Sequence, residues 1–308
     1  MTPGRARAIL VVAAASWGLT FVANHELLHT LDPQQIITLR FLGVSVVLGL
    51  VLLVRPALRP RFSGREWAVM ALCGVFAVPG AQLALVHGQR FLSPAMSGLV
   101  VATGPAFAAL LAVALLRERL LPRSWLGIAL AFSGAAVVVL FTSGTGTDLT
   151  VYNPIGAGLV VLAQLCWASY TVTAKGWLGA HPPVTVVSVA VIIGTLLMLP
   201  LSGGVGVAFA LLAPTDAMWL LHLVLLGTVV PYLIWFTALR QLAANETAVF
   251  MFLIPLFAVT SSAFVLGERP AVLGLLGGVG IIAGVTLTQL SGRDRVRAPA
   301  ARPEVPAP

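Results

Sequence analysis

Ten long apolar runs constrain this chain more than any other feature of its sequence. Each run is about 20 residues long, the length with which an α-helix crosses the roughly 30 Å hydrocarbon core of a bilayer. Backbone polar groups in lipid must be hydrogen-bonded within their own segment, so the runs are predicted to be helices rather than open strands. The predicted spans are roughly 8–27, 34–54, 67–87, 93–116, 124–141, 154–176, 184–204, 216–239, 246–266 and 271–290.

The chain also has too few charges to cover a water-exposed surface. Only 9% of its 308 residues are charged and 59% are hydrophobic, whereas soluble domains carry about 25% charged residues. The net charge of +8 does not indicate a nucleic-acid partner, because the arginines lie at the ends of apolar runs and in a short tail. The expected surroundings are therefore a lipid bilayer.

Basic residues predict the orientation of the chain in that bilayer. With the N-terminus placed in the cytoplasm, Arg40, Arg90 and Arg269 fall on the outer side, and the other fifteen of the eighteen Lys and Arg residues fall on the inner side. Cytoplasmic loops of membrane proteins carry an excess of these residues. The sequence therefore predicts a multi-pass protein with both termini in the cytoplasm.

An internal repeat divides the chain into two halves. A shift of 150 residues superimposes unusual residues on one another: Trp17 on Trp167, Arg90 on Arg240, Pro105 on Pro255, Glu118 on Glu268 and Gly134 on Gly284. Each repeat carries five predicted spans, an odd number, so the second repeat crosses the membrane in the opposite sense. Inverted repeats of this kind are the architecture of many secondary transporters.

The predicted fold class is an all-α polytopic membrane protein with ten transmembrane helices in two inverted five-helix repeats. The alternative is a duplicated helical bundle that transports nothing. The predicted division of the chain is a first repeat at 1–141, an outer linker at 142–153, a second repeat at 154–290 and a disordered cytoplasmic tail at 291–308.

Several motifs then resemble a known family. They are the opening Ser16-Trp17-Gly18-Leu19-Thr20-Phe21, the Leu39-Arg40-Phe41 of the second span, and, in each repeat, a proline within the fourth span, Glu-Arg at its end and a glycine-spaced fifth span. This pattern resembles the EamA-type domain of the drug/metabolite transporter superfamily over nearly the whole chain. The resemblance implies a transporter in the bacterial inner (plasma) membrane. Such proteins move amino acids, metabolites, drugs or nucleotide sugars, usually outward in bacteria.

Polar and aromatic residues form stripes on three predicted helices. Residues three, four or seven apart share a helix face, and repeat-related faces are expected to meet across the two-fold axis. Such stripes suit a cavity for an amphipathic solute, although interhelical hydrogen bonds and interfacial anchoring would use the same residues. Arg40 would either face this cavity or extend to the membrane surface. The candidate substrate-binding residues are Trp17, Thr20, Asn24, Arg40, Gln82, Gln164, Trp167, Tyr170, Tyr232 and Trp235.

Two pairs of repeat-related residues are expected to serve the helices themselves. Pro105 and Pro255 lack an amide donor and should bend their helices, as gating elements or as static kinks. Glu118 and Glu268 end the fourth span of each repeat, where a carboxylate opposes the helix dipole and needs a partner. We predict structural roles for both glutamates.

Other chemistries lack their sequence signatures. The dinucleotide-like pattern at 278–283 lies inside an apolar helix without a preceding strand, and no phosphate-binding Gly-x-x-x-x-Gly-Lys-Ser/Thr loop occurs. Cys73 and Cys166 lie within apolar runs, so neither a disulfide nor a metal site is predicted. We therefore expect a non-enzymatic secondary transporter without cofactors or metals, as a monomer or homodimer. An intramembrane enzyme such as a lipid transferase, and a non-transporting membrane scaffold, remain the alternatives.

Overall fold

A computed structural model describes residues 3–116, 122–141, 154–241, 249–269 and 272–297, and none of these residues lies in a β-strand. They form ten long helical segments, named α1 to α10, which agree with the ten predicted spans. Six of the helices are long and apolar enough to cross a membrane, and three shorter apolar stretches lie at Pro94–Ala108, Leu253–Leu266 and Leu275–Gly284. The chain is therefore an all-α, multi-pass membrane protein.

The first repeat contributes five helices and the second repeat five more. In the first repeat the bounds are α1 Pro3–Leu27, α2 Pro33–Val54, α3 Gly64–Gly88, α4 in two parts at Pro94–Val101 and Gly104–Leu116, and α5 Pro122–Phe141. In the second repeat they are α6 Pro154–Lys175, α7 Pro183–Met198, α8 from Pro214–Val224 to Val230–Gln241, α9 Leu253–Leu266 after a 3₁₀ turn at Val249–Phe252, and α10 Val272–Arg297.

Prolines and a capping box mark the N-termini of several of these helices. Seven of the ten helices begin with a proline, at a position where its missing amide would have had no partner in any case. α3 begins with a capping box, in which the Ser63 hydroxyl accepts a hydrogen bond from the Glu66 amide and the Glu66 carboxylate accepts one from the Ser63 amide. These exchanges satisfy amide donors that a helix start leaves free.

The packing of the helices follows the two-fold relation between the repeats. Exchanging the repeats turns the pair α1–α9 into α6–α4, α1–α8 into α6–α3, and α2–α8 into α7–α3, and all six pairs are in contact. The pairs α5–α10, α2–α7 and α4–α9 are each converted into themselves, and these are also packed. The inverted repeat predicted from the sequence is therefore present in the contacts between helices.

Three pairs of repeat-related residues touch each other, and such pairs must lie close to the two-fold axis. The rings of Trp17 and Trp167 meet edge to face with centroids 5.9 Å apart. The hydroxyl of Ser45 donates to that of Thr195 at 2.9 Å. Gln82 Nε2 donates to the Tyr232 hydroxyl at 3.2 Å. The axis consequently runs through the middle of the helix bundle, along the residues of the candidate site.

Glycines bring the backbones of α5 and α10 together. A Cβ added to Gly134 would lie 2.6 Å from both the Gly277 carbonyl oxygen and the Ile281 amide nitrogen. A Cβ on the repeat-related Gly284 would collide in the same way with Gly127 and Ala131. Small residues allow this close approach between membrane helices.

Breaks in the helices also follow the repeat. α3 has a π-helical stretch at Phe76–Leu83 and α8 has one at Leu225–Val229, and the two stretches overlap under the shift of 150 residues. α4 is interrupted at Ala102 and Thr103, and α9 changes from a 3₁₀ turn to an α-helix at Leu253. These four irregular stretches lie on helices that surround the centre of the molecule.

One predicted boundary is wrong, and two other predictions fall beyond what the structure describes. α10 continues to Arg297, so residues 291–297 are helical and do not belong to a disordered tail, because no proline interrupts the helix before 299. The predicted linker at 142–153 and the tail residues 298–308 lie outside the described residues.

Candidate functional site

A central cavity lies between helices of both repeats. Its volume is about 70 Å³, below the 300–1,000 Å³ or so typical of sites for drug-sized ligands, which favours a small solute or a contracted state of the site. Seven of the ten predicted substrate-binding residues line it: Trp17, Thr20, Arg40, Gln82, Gln164, Trp167 and Tyr232.

Arg40 provides the positive charge of the cavity. Its side chain is only 1% exposed, so it does not extend to the membrane surface. Nε donates to the Thr228 hydroxyl at 2.7 Å, Nη1 to Gln82 Oε1 at 3.2 Å, and Nη2 to the Gly227 carbonyl at 3.1 Å. All three acceptors are neutral, and within the described part of the chain no ion pair joins this guanidinium to a carboxylate. Two of its five N–H groups have no acceptor among these bonds.

The proline that follows the π-helical stretch of α8 explains why this arginine finds a backbone acceptor. In a regular α-helix the Gly227 carbonyl would accept from residue 231, which is a proline without an N–H group. That carbonyl accepts instead from Arg40. Thr228 is held in turn, since its hydroxyl donates to the Leu223 carbonyl at 2.8 Å. Irregular backbone at membrane depth thus serves the site.

Aromatic rings form a second wall of the cavity. Trp17 contacts Trp167, Tyr232 and Trp235 with ring centroids 5.7–6.3 Å apart, and Trp167 lies 5.2 Å from Tyr232. The Tyr232 hydroxyl accepts from Gln82, which also accepts from Arg40. The aromatic wall and the charged group are therefore parts of one connected arrangement.

Gln164 lies among the cavity residues on α6. It is 5% exposed, and its Oε1 has no hydrogen-bond partner among the described residues. A Cβ added to Gly104 of α4 would lie 2.7 Å from this oxygen. The amide oxygen is therefore held beside the interruption of α4.

Three predicted residues lie behind the cavity wall. Asn24 is buried and donates to Gln89 Oε1 at 2.8 Å, so it joins α1 to the end of α3. Tyr170 packs on Trp167 and Phe236, and Trp235 packs on Trp17. The structure thus places these three side chains where they support the lining residues.

The sequence analysis missed the apolar part of the lining. Its members share no polar signal and belong to helices of both repeats: Phe21, Ala81, Leu85, Val101, Met251 and Ile254. One signal was available, because Val101 and Met251 are related by the repeat and each stands four residues before a proline. The lining residues that were not predicted are therefore all hydrophobic.

The two prolines and Glu268 have positions that refine their predicted roles. Pro105 and Pro255 lie in the first turns of the second parts of α4 and α9, so the irregular backbone precedes each proline. Glu268 contacts the Ser262 hydroxyl and accepts from the Ala95 amide at 3.4 Å. The Ala95 amide lies at the N-terminus of α4, where a carboxylate is favourable. Glu118 lies outside the described residues.

Ten membrane helices in two inverted repeats around a small polar and aromatic cavity define a membrane transporter for small solutes. The comparisons agree with this class. Residues 6–140 and 154–290 each match the EamA-like transporter family, and the chain belongs to that family.

Relatives over nearly the whole chain are named as transporters rather than enzymes. An uncharacterized transporter from Archaeoglobus fulgidus is 28% identical, over 91% of this chain and 96% of its own. A probable terminal-alkyne amino-acid exporter from Streptantibioticus cattleyicolor is 28% identical, over 90% and 91%. A probable amino-acid metabolite efflux pump from Salmonella typhimurium is 28% identical, over 94% and 95%.

The fold also occurs in a solved crystal structure. That chain superimposes with a TM-score of 0.64 at 17% identity, covering 96% of this chain and 100% of the other. At this identity the likeness concerns the fold alone.

Proposed function

We propose that this protein is a secondary transporter that exports small amino-acid-like solutes from the bacterial cytoplasm by alternating access. The observation that carries the proposal is Arg40, a guanidinium buried in the central cavity without a carboxylate partner in the described part of the chain. A buried charge is unfavourable unless it is paired. The carboxylate of a bound solute would supply the missing partner through a charge-assisted hydrogen bond.

The aromatic wall supports the same class of solute. Trp17, Trp167 and Tyr232 offer apolar surface beside a single fixed positive charge, which suits a small amphipathic zwitterion better than a polyanion. The relatives named as a probable terminal-alkyne amino-acid exporter and a probable amino-acid metabolite efflux pump support the same class of solute. Inverted repeats allow one sequence to reach inward-open and outward-open states around a central site.

Reconstitution of the purified full-length protein into liposomes tests the proposal. The vesicles are loaded with each of the standard L-amino acids, and release is compared with that of the corresponding amino-acid amide, which lacks the carboxylate. We expect release of at least one amino acid and little release of its amide. Arg40→Gln should abolish this preference, whereas Arg90→Gln, at an exposed arginine paired with Asp32, should keep it. Equal release of acids and amides by the wild-type protein would refute the proposal.

The predicted orientation is part of the same proposal and has its own test. Reporter fusions at Thr147 and at the C-terminus should report opposite sides of the membrane, with the C-terminus in the cytoplasm. Both reporters on one side would contradict the ten-helix topology with cytoplasmic termini.

A further inference from the structure

We propose that Gln164 recognises the amino group of the solute and thereby restricts the protein to α-amino acids with a free amino group. This inference rests on the proposed function, because it assigns the second end of a solute whose carboxylate binds Arg40. It adds a specificity-determining residue on α6 and names the chemical group that this residue selects.

The first argument is the unpaired oxygen. Gln164 lies inside the bundle with 5% of its side chain exposed, and its Oε1 has no partner among the described residues. A buried polar atom without a hydrogen bond is unfavourable in an apolar interior. A residue chosen only for packing at this position would be apolar. A donor brought by the solute accounts for the retained amide, because Gln164 is also a lining residue of the cavity.

The second argument is the close approach of α4 to the Gln164 side-chain amide. Gly104 begins the second part of α4, and any larger residue there would place its Cβ 2.7 Å from Oε1. Apart from the Gln164 amide itself, the nearest atom to that position is the Met251 methyl carbon, 3.8 Å away. Glycine therefore lets the amide oxygen lie against the backbone of α4 at its interruption, and this contact holds Gln164 among the lining residues of the cavity.

The third argument is the distribution of charge around the cavity. Its lining contains one cation, Arg40, and no carboxylate. An ammonium group would consequently bind to neutral acceptors and to the negative faces of aromatic rings. Gln164 Oε1 is the unpaired acceptor of that lining, and Trp167 follows it by one helical turn on α6. Each of these two polar residues occurs in only one of the two repeats, because the residue related to Gln164 is Ala14 and the residue related to Arg40 is Ala190.

The decisive experiment compares amino acids with analogues that lack only the amino group. Binding to the purified full-length protein is measured by thermal stabilisation, with L-leucine, isocaproate and isoamylamine as the first matched set and the other standard L-amino acids treated in the same way. We expect the wild-type protein to prefer an amino acid over its desamino analogue by about 10- to 100-fold, the range for a hydrogen bond to a charged group.

Two variants and a control assign that preference to the amide. Gln164→Leu should bind the amino acid and its desamino analogue about equally well. Gly104→Ala should reduce the preference in part, because its methyl group displaces Oε1. Ser169→Ala, on the exposed face of the same helix, should retain the wild-type preference.

Each outcome decides between the hypotheses. Without solute, Gln164→Leu should melt at the wild-type temperature or above it, because an unpaired oxygen is removed, whereas a purely structural hydrogen-bonding role would lower the melting temperature. An unchanged preference in a folded Gln164→Leu protein would overturn the inference and leave the proposed function standing. Failure of folded wild-type protein to bind any amino acid would overturn both.

Discussion

Replacing Gly134 with alanine tests how closely α5 and α10 are packed. The new methyl carbon would lie 2.6 Å from two backbone atoms of α10, and backbone in a helix cannot rotate away as a side chain does. Forcing extra carbon into a packed interior costs about 1–3 kcal/mol, while alanine gains about 1 kcal/mol over glycine in a helix. The net expectation is a loss of about 0–2 kcal/mol of folding free energy.

Thermal unfolding in detergent, with Gly49→Ala as the control, measures this effect. Gly49 lies within α2 and has no atom within 4 Å of an added Cβ, so its alanine variant should gain stability from helix propensity alone. The two variants should thus differ by about 1–3 kcal/mol. Gly134 and Gly284 lie in the same contact between α5 and α10, and alanine at either position would push these helices apart. The double alanine variant should therefore lose less than the sum of the two single losses. Equal melting temperatures of Gly134→Ala and Gly49→Ala would refute this account of the packing.

Three further predictions concern single side chains. Glu268→Gln should lower the melting temperature while solute affinity persists, because the charge at the start of α4 is lost; unaltered stability with altered solute affinity would contradict the structural role. Tyr232→Phe should weaken solute binding by about 2- to 10-fold, the value of one neutral hydrogen bond, because Gln82 loses an acceptor; binding at the wild-type affinity would show that this bond does not matter. Ser63→Ala should lower stability by about 1 kcal/mol through loss of a helix cap, measured by thermal unfolding, and an unchanged melting temperature would contradict the capping box.

The helices and their two-fold relation could be predicted because apolar length and a constant offset are properties of the sequence itself. The partners of Arg40 could not, since Thr228 is 188 positions away and its contact depends on how α2 and α8 meet. A partial signal existed in Pro231, which leaves the Gly227 carbonyl without its usual donor.

Helical spacing also predicted the direction of side chains better than their depth. Asn24 shares a face with Trp17, yet seven residues separate them by about 10 Å along the helix. At that depth the neighbour is Gln89 rather than the cavity. Tyr170 and Trp235 likewise contact other aromatic rings instead of lining the cavity. Only the packing of neighbouring helices determines these contacts.

The self-contacting pairs near the two-fold axis have a consequence for the energetics of alternating access. If the two repeats exchange conformations, Trp17 and Trp167 exchange surroundings, and the pair is the same before and after because both residues are tryptophan. Replacing both tryptophans by the same residue would change the energies of the two states by similar amounts and leave the energy difference between them nearly constant. Other positions carry different residues in the two repeats, such as Gln82 and its counterpart Tyr232, or Gly18, which meets α9, and its counterpart Ala168. The resting balance between the two states is therefore set by such unmatched positions.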